Sequence, residues 1–152
     1  MSKIKSVIVS GNSMGTYLKS GDVLLYEDVN INHKDLRVGE LIVLVSFKKC
    51  LVHRYLGNGV IKGDTNKCID QVDKIIGVVK YRLNENMYVN YDSVFIRNIS
   101  VLIAYLSRFN VIRRSKLDKL VYISIMIISY QLRLIENTFF SRGSDGTCKS
   151  IY

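Results

Sequence analysis

A chain of 152 residues that is 48% hydrophobic can bury a core and is too apolar for an intrinsically disordered segment. Its 22 Lys and Arg against 13 Asp and Glu leave a formal charge of +9, which favours anionic partners without choosing among phospholipid headgroups, nucleic acid and acidic peptides. Three widely spaced cysteines, Cys50, Cys68 and Cys148, with no C-x-x-C pair, argue against a disulfide framework and a zinc site, and read as free thiols of a reducing compartment.

The first apolar stretch, Val7-Ile8-Val9, is too short for a signal-peptide core or a membrane span, and reads with Ser10 as a strand. Gly21-Asp22 is a turn, and Val23 to Tyr26 a second strand. Val38-Gly39 leads into a strand from Leu41 to Phe47, and Lys48-Lys49-Cys50 is a tight connection into Leu51 to Leu56. Asn58-Gly59 is a hairpin signal followed by Val60-Ile61-Lys62, and Ile75 to Tyr81 is a further strand. Many short strands at this spacing predict a compact antiparallel sheet, closed or folded over on itself.

From about Ser93 the period changes to that of a helix: Ile96, Ile99, Leu102, Ile103, Leu106 and Phe109 recur on one face, and Asn110 is expected to break the run. A second helix is predicted from Arg114 to Glu136 around an apolar run, Leu120 to Ile128, interrupted only by Ser124. Basic residues flank it: Arg108, Arg113, Arg114, Lys116 and Lys119 before, Arg133 after. A span needs roughly 20 apolar residues, and widening this window admits Asp118, Lys119 and Arg133. Two readings therefore stand for this helix, packing in the core or lying in a membrane surface with its basic flank against the headgroups. The division expected is a mainly β domain over 1–92, a C-terminal helical segment over 93–140 and a polar, frayed tail over 141–152.

A serine hydroxyl is a weak nucleophile unless a neighbouring base takes its proton, so the context of each serine decides its chemistry. Val9-Ser10-Gly11-Asn12-Ser13-Met14, with Leu18 and then Gly21-Asp22-Val23, resembles the nucleophile box of the signal peptidase I superfamily, V-x-G-x-S-M-x-P-x-L followed closely by G-D. Further boxes follow in the family's order. Arg37-Val38-Gly39-Glu40-Leu41-Ile42-Val43 resembles its v-G-D/E-i-v-v strand, and Leu51-Val52-His53-Arg54-Tyr55-Leu56 its v-H-R-v strand. Ile61-Lys62-Gly63-Asp64-Thr65-Asn66 with the later Asp70 resembles its K-G-D-N-N-x-x-x-D loop, and Ile75-Ile76-Gly77-Val78-Val79 its i-G-k-v strand. The five boxes span Val9 to Val79, about half the chain.

That superfamily has a lysine branch and a histidine branch, and His53-Arg54 is similar to the histidine branch of the endoplasmic reticulum, archaea and sporulation. The resemblance implies a β catalytic domain of the signal peptidase type in which Ser13 attacks the scissile carbonyl and His53 accepts its proton. Asp70 would orient His53, with Asp64 a second candidate for that role or a structural support of the loop. It implies a peptide or preprotein substrate cut after a small residue, and no cofactor or metal. Lys48 and Lys49 fall at a hairpin tip, where a solvated lysine is protonated and cannot act as a base. His33 reads as a solvated bystander, and Cys68 as incidental to its loop.

The sequence departs from the pattern in two places. Thr16 stands where the family has proline, which is expected to loosen the turn at an entropic cost of about 1 kcal/mol. Only twelve residues precede Ser13, where membrane-bound relatives carry a transmembrane helix. The expected location is therefore cytoplasmic, or peripheral at the cytoplasmic membrane face, with a leader or precursor peptide as substrate. Two alternatives are a secretory signal peptidase held at the membrane by a partner, and an inactive binding module of the same fold. A helix-turn-helix regulator lacks room at the N-terminus, and no basic stripe interleaved with aromatics speaks for nucleic acid.

Overall fold

The computed structural model describes residues 3–28, 35–84, 87–112 and 117–140. His33, Cys148 and the tail from Ser141 lie outside the described residues. Seven strands come first: β1 (Lys3–Ile8), β2 (Val23–Asp28), β3 (Leu41–Ser46), β4 (Lys49–Gly57), β5 (Val60–Lys62), β6 (Lys74–Asn84) and β7 (Met87–Asn90). Two helices follow, α1 (Val94–Ile112) and α2 (Leu117–Phe140). All pairings are antiparallel, in the order β1-β2-β6-β3-β4-β5, and β7 pairs with the far end of β6. The chain is thus a mostly antiparallel β sheet followed by two helices.

Strand β3 shows why the sheet folds over. Its apolar run Leu41-Ile42-Val43-Leu44 is fully buried although successive side chains point to opposite faces. Leu41 and Val43 join a cluster with Val9, Met14, Tyr17, Leu18, Leu24 and Leu132, while Ile42 and Leu44 join Leu36, Tyr55, Ile61, Ile75 and Val78 on the other side. A continuous apolar run is what a strand covered on both faces requires. Leu132 belongs to α2, so that helix contributes to the core. At the β4–β5 hairpin Asn58 and Gly59 both have positive φ, 53° and 76°, as a two-residue turn of the predicted kind demands.

Several boundaries differ from the sequence reading. β1 starts at Lys3 and ends at Ile8, so Ser10 lies beyond it. β7 was not anticipated, being four residues that pair only with the end of β6. α1 runs through Asn110 to Ile112, because an asparagine inside a helix costs only a fraction of a kcal/mol. α2 begins at Leu117 and extends to Phe140, and residues 113–116 are outside the described set. Among the described residues no helix is long and apolar enough to cross a membrane.

Tyr17 is buried, and the enclosed hydroxyl of Tyr91 belongs to a ring packed edge-on to it, centroids 6.0 Å apart. Burial pushes both phenols up from their ordinary range, chiefly because the phenolate would lose its hydration. The folded chain therefore keeps protons that the unfolded chain releases near pH 10. The stabilisation from these two groups is complete below that pH and is lost as pH rises through their folded values. Of the ten tyrosines, these two should stay protonated in an alkaline absorbance titration and ionise only on adding denaturant. Full ionisation of all ten with an unchanged circular dichroism spectrum would contradict this.

Candidate active site

Ser13 sits in a loop closed at its base by Val9 N–H donating to Asp22 O (2.9 Å) and Gly21 N–H donating to Val9 O (3.0 Å). Directly after Ser13 the chain turns back, with Gly15 N–H donating to Asn12 O at 2.9 Å. Gly15 takes a left-handed φ of 62°, and a Cβ there would meet Met126 Sδ and Thr65 Cγ2, each at 2.9 Å. The carbonyl of Ser13 is held by the N–H and the hydroxyl of Thr65, both at 3.0 Å. The bonds that form this turn use the N–H groups of Gly15 and Tyr17 and leave that of Ser13 outside them.

Gly63 forms the floor under Ser13. A Cβ on it would lie 2.7 Å from Ser13 O and 2.9 Å from Ser13 Cβ, a separation that forces Ser13 to move. A misplacement of about 1 Å at a reacting group costs on the order of 100-fold. Gly63→Ala should therefore lower kcat by roughly that factor with little change in KM, measured by steady-state cleavage of a peptide. An unaltered kcat would show that the Ser13 turn tolerates the methyl.

His53 lies on β4 opposite Ile42 of β3, so the ladder holds its backbone from the centre of the sheet. Its ring is buried, with Nε2 2.8 Å from Ser13 Oγ and Nδ1 2.5 Å from Asp70 Oδ2. A carboxylate only accepts, so Nδ1 carries the hydrogen and donates to Asp70, which leaves the Nε2 lone pair to receive the hydroxyl proton of Ser13. Asp70 is itself anchored by its N–H donating to Ile61 O at 2.9 Å. The three side chains open onto a cleft of about 470 Å³ lined also by Ser10, Phe47, Lys49 and Ile69. An adjoining cleft of about 310 Å³ shares Ser10, Gly11, Ser13, Lys49 and Leu51 and runs along Val7 to Val9 and Cys50 to Val52.

Asp64 does not touch His53. Arg54, the next residue on β4, points to the opposite side and donates to Asp64 through Nε (2.8 Å) and Nη2 (2.9 Å), and to Gly39 O through Nη1 (3.0 Å). Both partners are completely buried. Burial disfavours the Arg54 charge, and the Asp64 carboxylate more than offsets this, so the guanidinium is held more firmly charged than usual. Of the two aspartates proposed from sequence, Asp70 meets the histidine and Asp64 secures the loop from behind. Lys48 is exposed in the β3–β4 turn, and Lys49, the exposed first residue of β4, lines both clefts, while the contact to Ser13 Oγ is made by His53 Nε2.

Two further contributions were not read from the sequence. Lys62 is buried and donates through Nζ to Gly63 O (3.2 Å) and Asn66 O (2.5 Å), bracing the loop that carries Gly63 and Thr65, and burial pushes its pKa down. Helix α2 clamps the Ser13 loop. Thr16 donates through Oγ1 to Met126 O at 3.2 Å and so ties the turn to α2. Arg133 donates to Tyr17 O (2.9 Å) and to both carboxylate oxygens of Asp22 (2.8 and 3.0 Å). Arg82 also donates to Tyr17 O and pairs with Glu136, which accepts from the Tyr17 hydroxyl at 3.2 Å. The available signal was the presence of Arg133 and Glu136 after the apolar run of α2.

Among the described residues no group of three or more His, Cys, Asp and Glu side chains is placed to hold a metal ion. Comparison of the chain with family models, with curated proteins and with solved structures finds no match in any of the three.

Proposed function

We propose that this chain is a serine endopeptidase of the signal peptidase type, cutting a leader, signal or precursor peptide after a small residue. The observation that carries this reading is the unbroken hydrogen-bonded chain from Ser13 Oγ through both nitrogens of His53 to Asp70, facing an open cleft. The order of the five sequence boxes around it supports the family and the peptide substrate.

In this mechanism Ser13 Oγ attacks the scissile carbonyl carbon while His53 Nε2 takes its proton. Asp70 accepts the Nδ1–H, fixes the tautomer and stabilises the imidazolium that forms. The N–H of Ser13, unused by the turn, is available to the developing oxyanion. His53 then protonates the leaving amine, the acyl-enzyme forms, and water attacks it by the same route in reverse. The Gly63 floor and the Thr65 clamp keep Oγ at the histidine through both halves.

The test is cleavage of a diverse peptide library by the purified chain, with products read by mass spectrometry. New termini following small residues, absent from a parallel digestion with Ser13→Ala, are expected. Identical product sets from the two proteins would remove the peptidase reading and leave an inactive module of this fold.

A further inference from the structure

Helix α2 has two working faces. Ile125, Ser129, Leu132, Arg133 and Glu136 are buried against the rest of the chain. On its other side Leu120, Ile123, Ile127, Tyr130 and Leu134 recur at intervals of three and four residues and stand 41% to 62% exposed. That stripe is roughly 20 Å long at 1.5 Å per residue. No exposed position between Leu120 and Leu134 carries a charge. Helix α1, which packs against α2, does the same with Phe95, Leu102, Tyr105 and Phe109, 48% to 61% exposed. Single exposed apolar residues are ordinary, but recurrent runs of large ones on neighbouring helices mark an interaction surface.

Charge selects the occupant. Arg108 near the end of α1 and Lys119 in the first turn of α2 bracket the sequence that also contains Arg113, Arg114 and Lys116, with Asp118 the single acidic residue among them. The whole chain carries +9. A second copy would carry the same +9 and be repelled, whereas an anionic surface is attracted. The aromatic rings of Tyr105, Phe109 and Tyr130 suit the boundary between headgroups and acyl chains. Neither helix can cross a bilayer, so the fit is to lying in its surface.

We propose that the outer face of α2, extended by that of α1, docks on an anionic lipid bilayer. The inner face of α2 holds Thr16, the Tyr17 carbonyl and Asp22 of the nucleophile loop. Docking therefore holds the Ser13 loop about one helix diameter, roughly 10 Å, from the membrane surface, near peptides presented there. This last consequence rests on the peptidase reading, whereas the docking does not.

The test is flotation of the full chain with vesicles of phosphatidylcholine alone, or mixed with phosphatidylglycerol. Binding to the mixed vesicles, weakened by added salt, is expected. Ile123→Glu and Ile127→Glu should each lower the partition coefficient by about tenfold or more, since each replaces buried apolar surface with a charge. Lys119→Glu, at an exposed position, should lower it several-fold. Circular dichroism verifies that each variant keeps its fold. Absence of flotation with either vesicle, or binding unaffected by all three substitutions, overturns the proposal. So does a dimer in sedimentation velocity that Ile127→Glu dissolves while no vesicle binding occurs, which would assign the face to a second copy. Because the readout is binding, loss of cleavage in Ser13→Ala and loss of flotation are separate results.

Discussion

Ser13→Ala and His53→Ala should each lower kcat by roughly four to six orders of magnitude, and the double variant should be hardly worse than either one. The reason is the 2.8 Å contact between Ser13 Oγ and His53 Nε2. The hydroxyl reacts only as its proton leaves, and the imidazole has work to do only when the hydroxyl is there, so the two act as one unit. Neither change should unfold the chain. Ser13 is a half-buried residue of a surface loop, and the backbone of His53 is held by its ladder with β3 whatever its side chain. The decisive measurement is a double-mutant cycle on one peptide substrate, with thermal melts of all four proteins. Losses that add in the double variant would mean that the two groups act independently, and the relay drawn through them would be wrong.

The second large effect separates the two aspartates. Asp70→Asn should lower kcat by about 10,000-fold with a small change in melting temperature, because an amide no longer selects the histidine tautomer that leaves Nε2 free. Asp64→Asn should do the opposite. It leaves the Arg54 guanidinium fully buried without its counter-ion, and breaking a buried pair from one side costs about 3–5 kcal/mol. For a chain of this size that corresponds to a fall in melting temperature of roughly 10 °C or more. The residual folded fraction of Asp64→Asn should retain the catalytic constants of the parent within a few-fold. Comparing kcat per folded molecule with the denaturant midpoint of each variant checks both halves. A stable Asp64→Asn with lost activity would exchange the two assignments.

The strands were legible because their signals are local. β-branched runs bounded by Gly, Asp and Asn mark where the backbone extends and where it turns, and these appear at β2 to β6 close to their predicted places. β7 escaped because four residues gain their strand character only by pairing with the far end of β6. Asn110 misled because its weak helix propensity is a fraction of a kcal/mol, which a packed helix overrides. Thr16 was read as a looser substitute for proline, yet its hydroxyl reaches the Met126 carbonyl across 110 positions of sequence, a contact no local pattern contains.

A family resemblance singled out Ser13, His53, Asp64 and Asp70 as candidates; by itself the sequence determined the alternation of short strands and two helices and the basic, apolar character of the C-terminal segment. Those properties belong to residue types and near-neighbour spacing. Only the tertiary structure decided which aspartate meets His53, because the path of the loop from Gly63 to Asp70 sets where each carboxylate points. Only it showed α2 to be both core and surface. A helix presents residues on every side, and which side is covered depends on what folds against it. Here Arg133 and Glu136 turn inward to grip the Ser13 loop while Leu120, Ile123, Ile127, Tyr130 and Leu134 face out, since buried charges persist only where Asp22 and Arg82 are waiting for them.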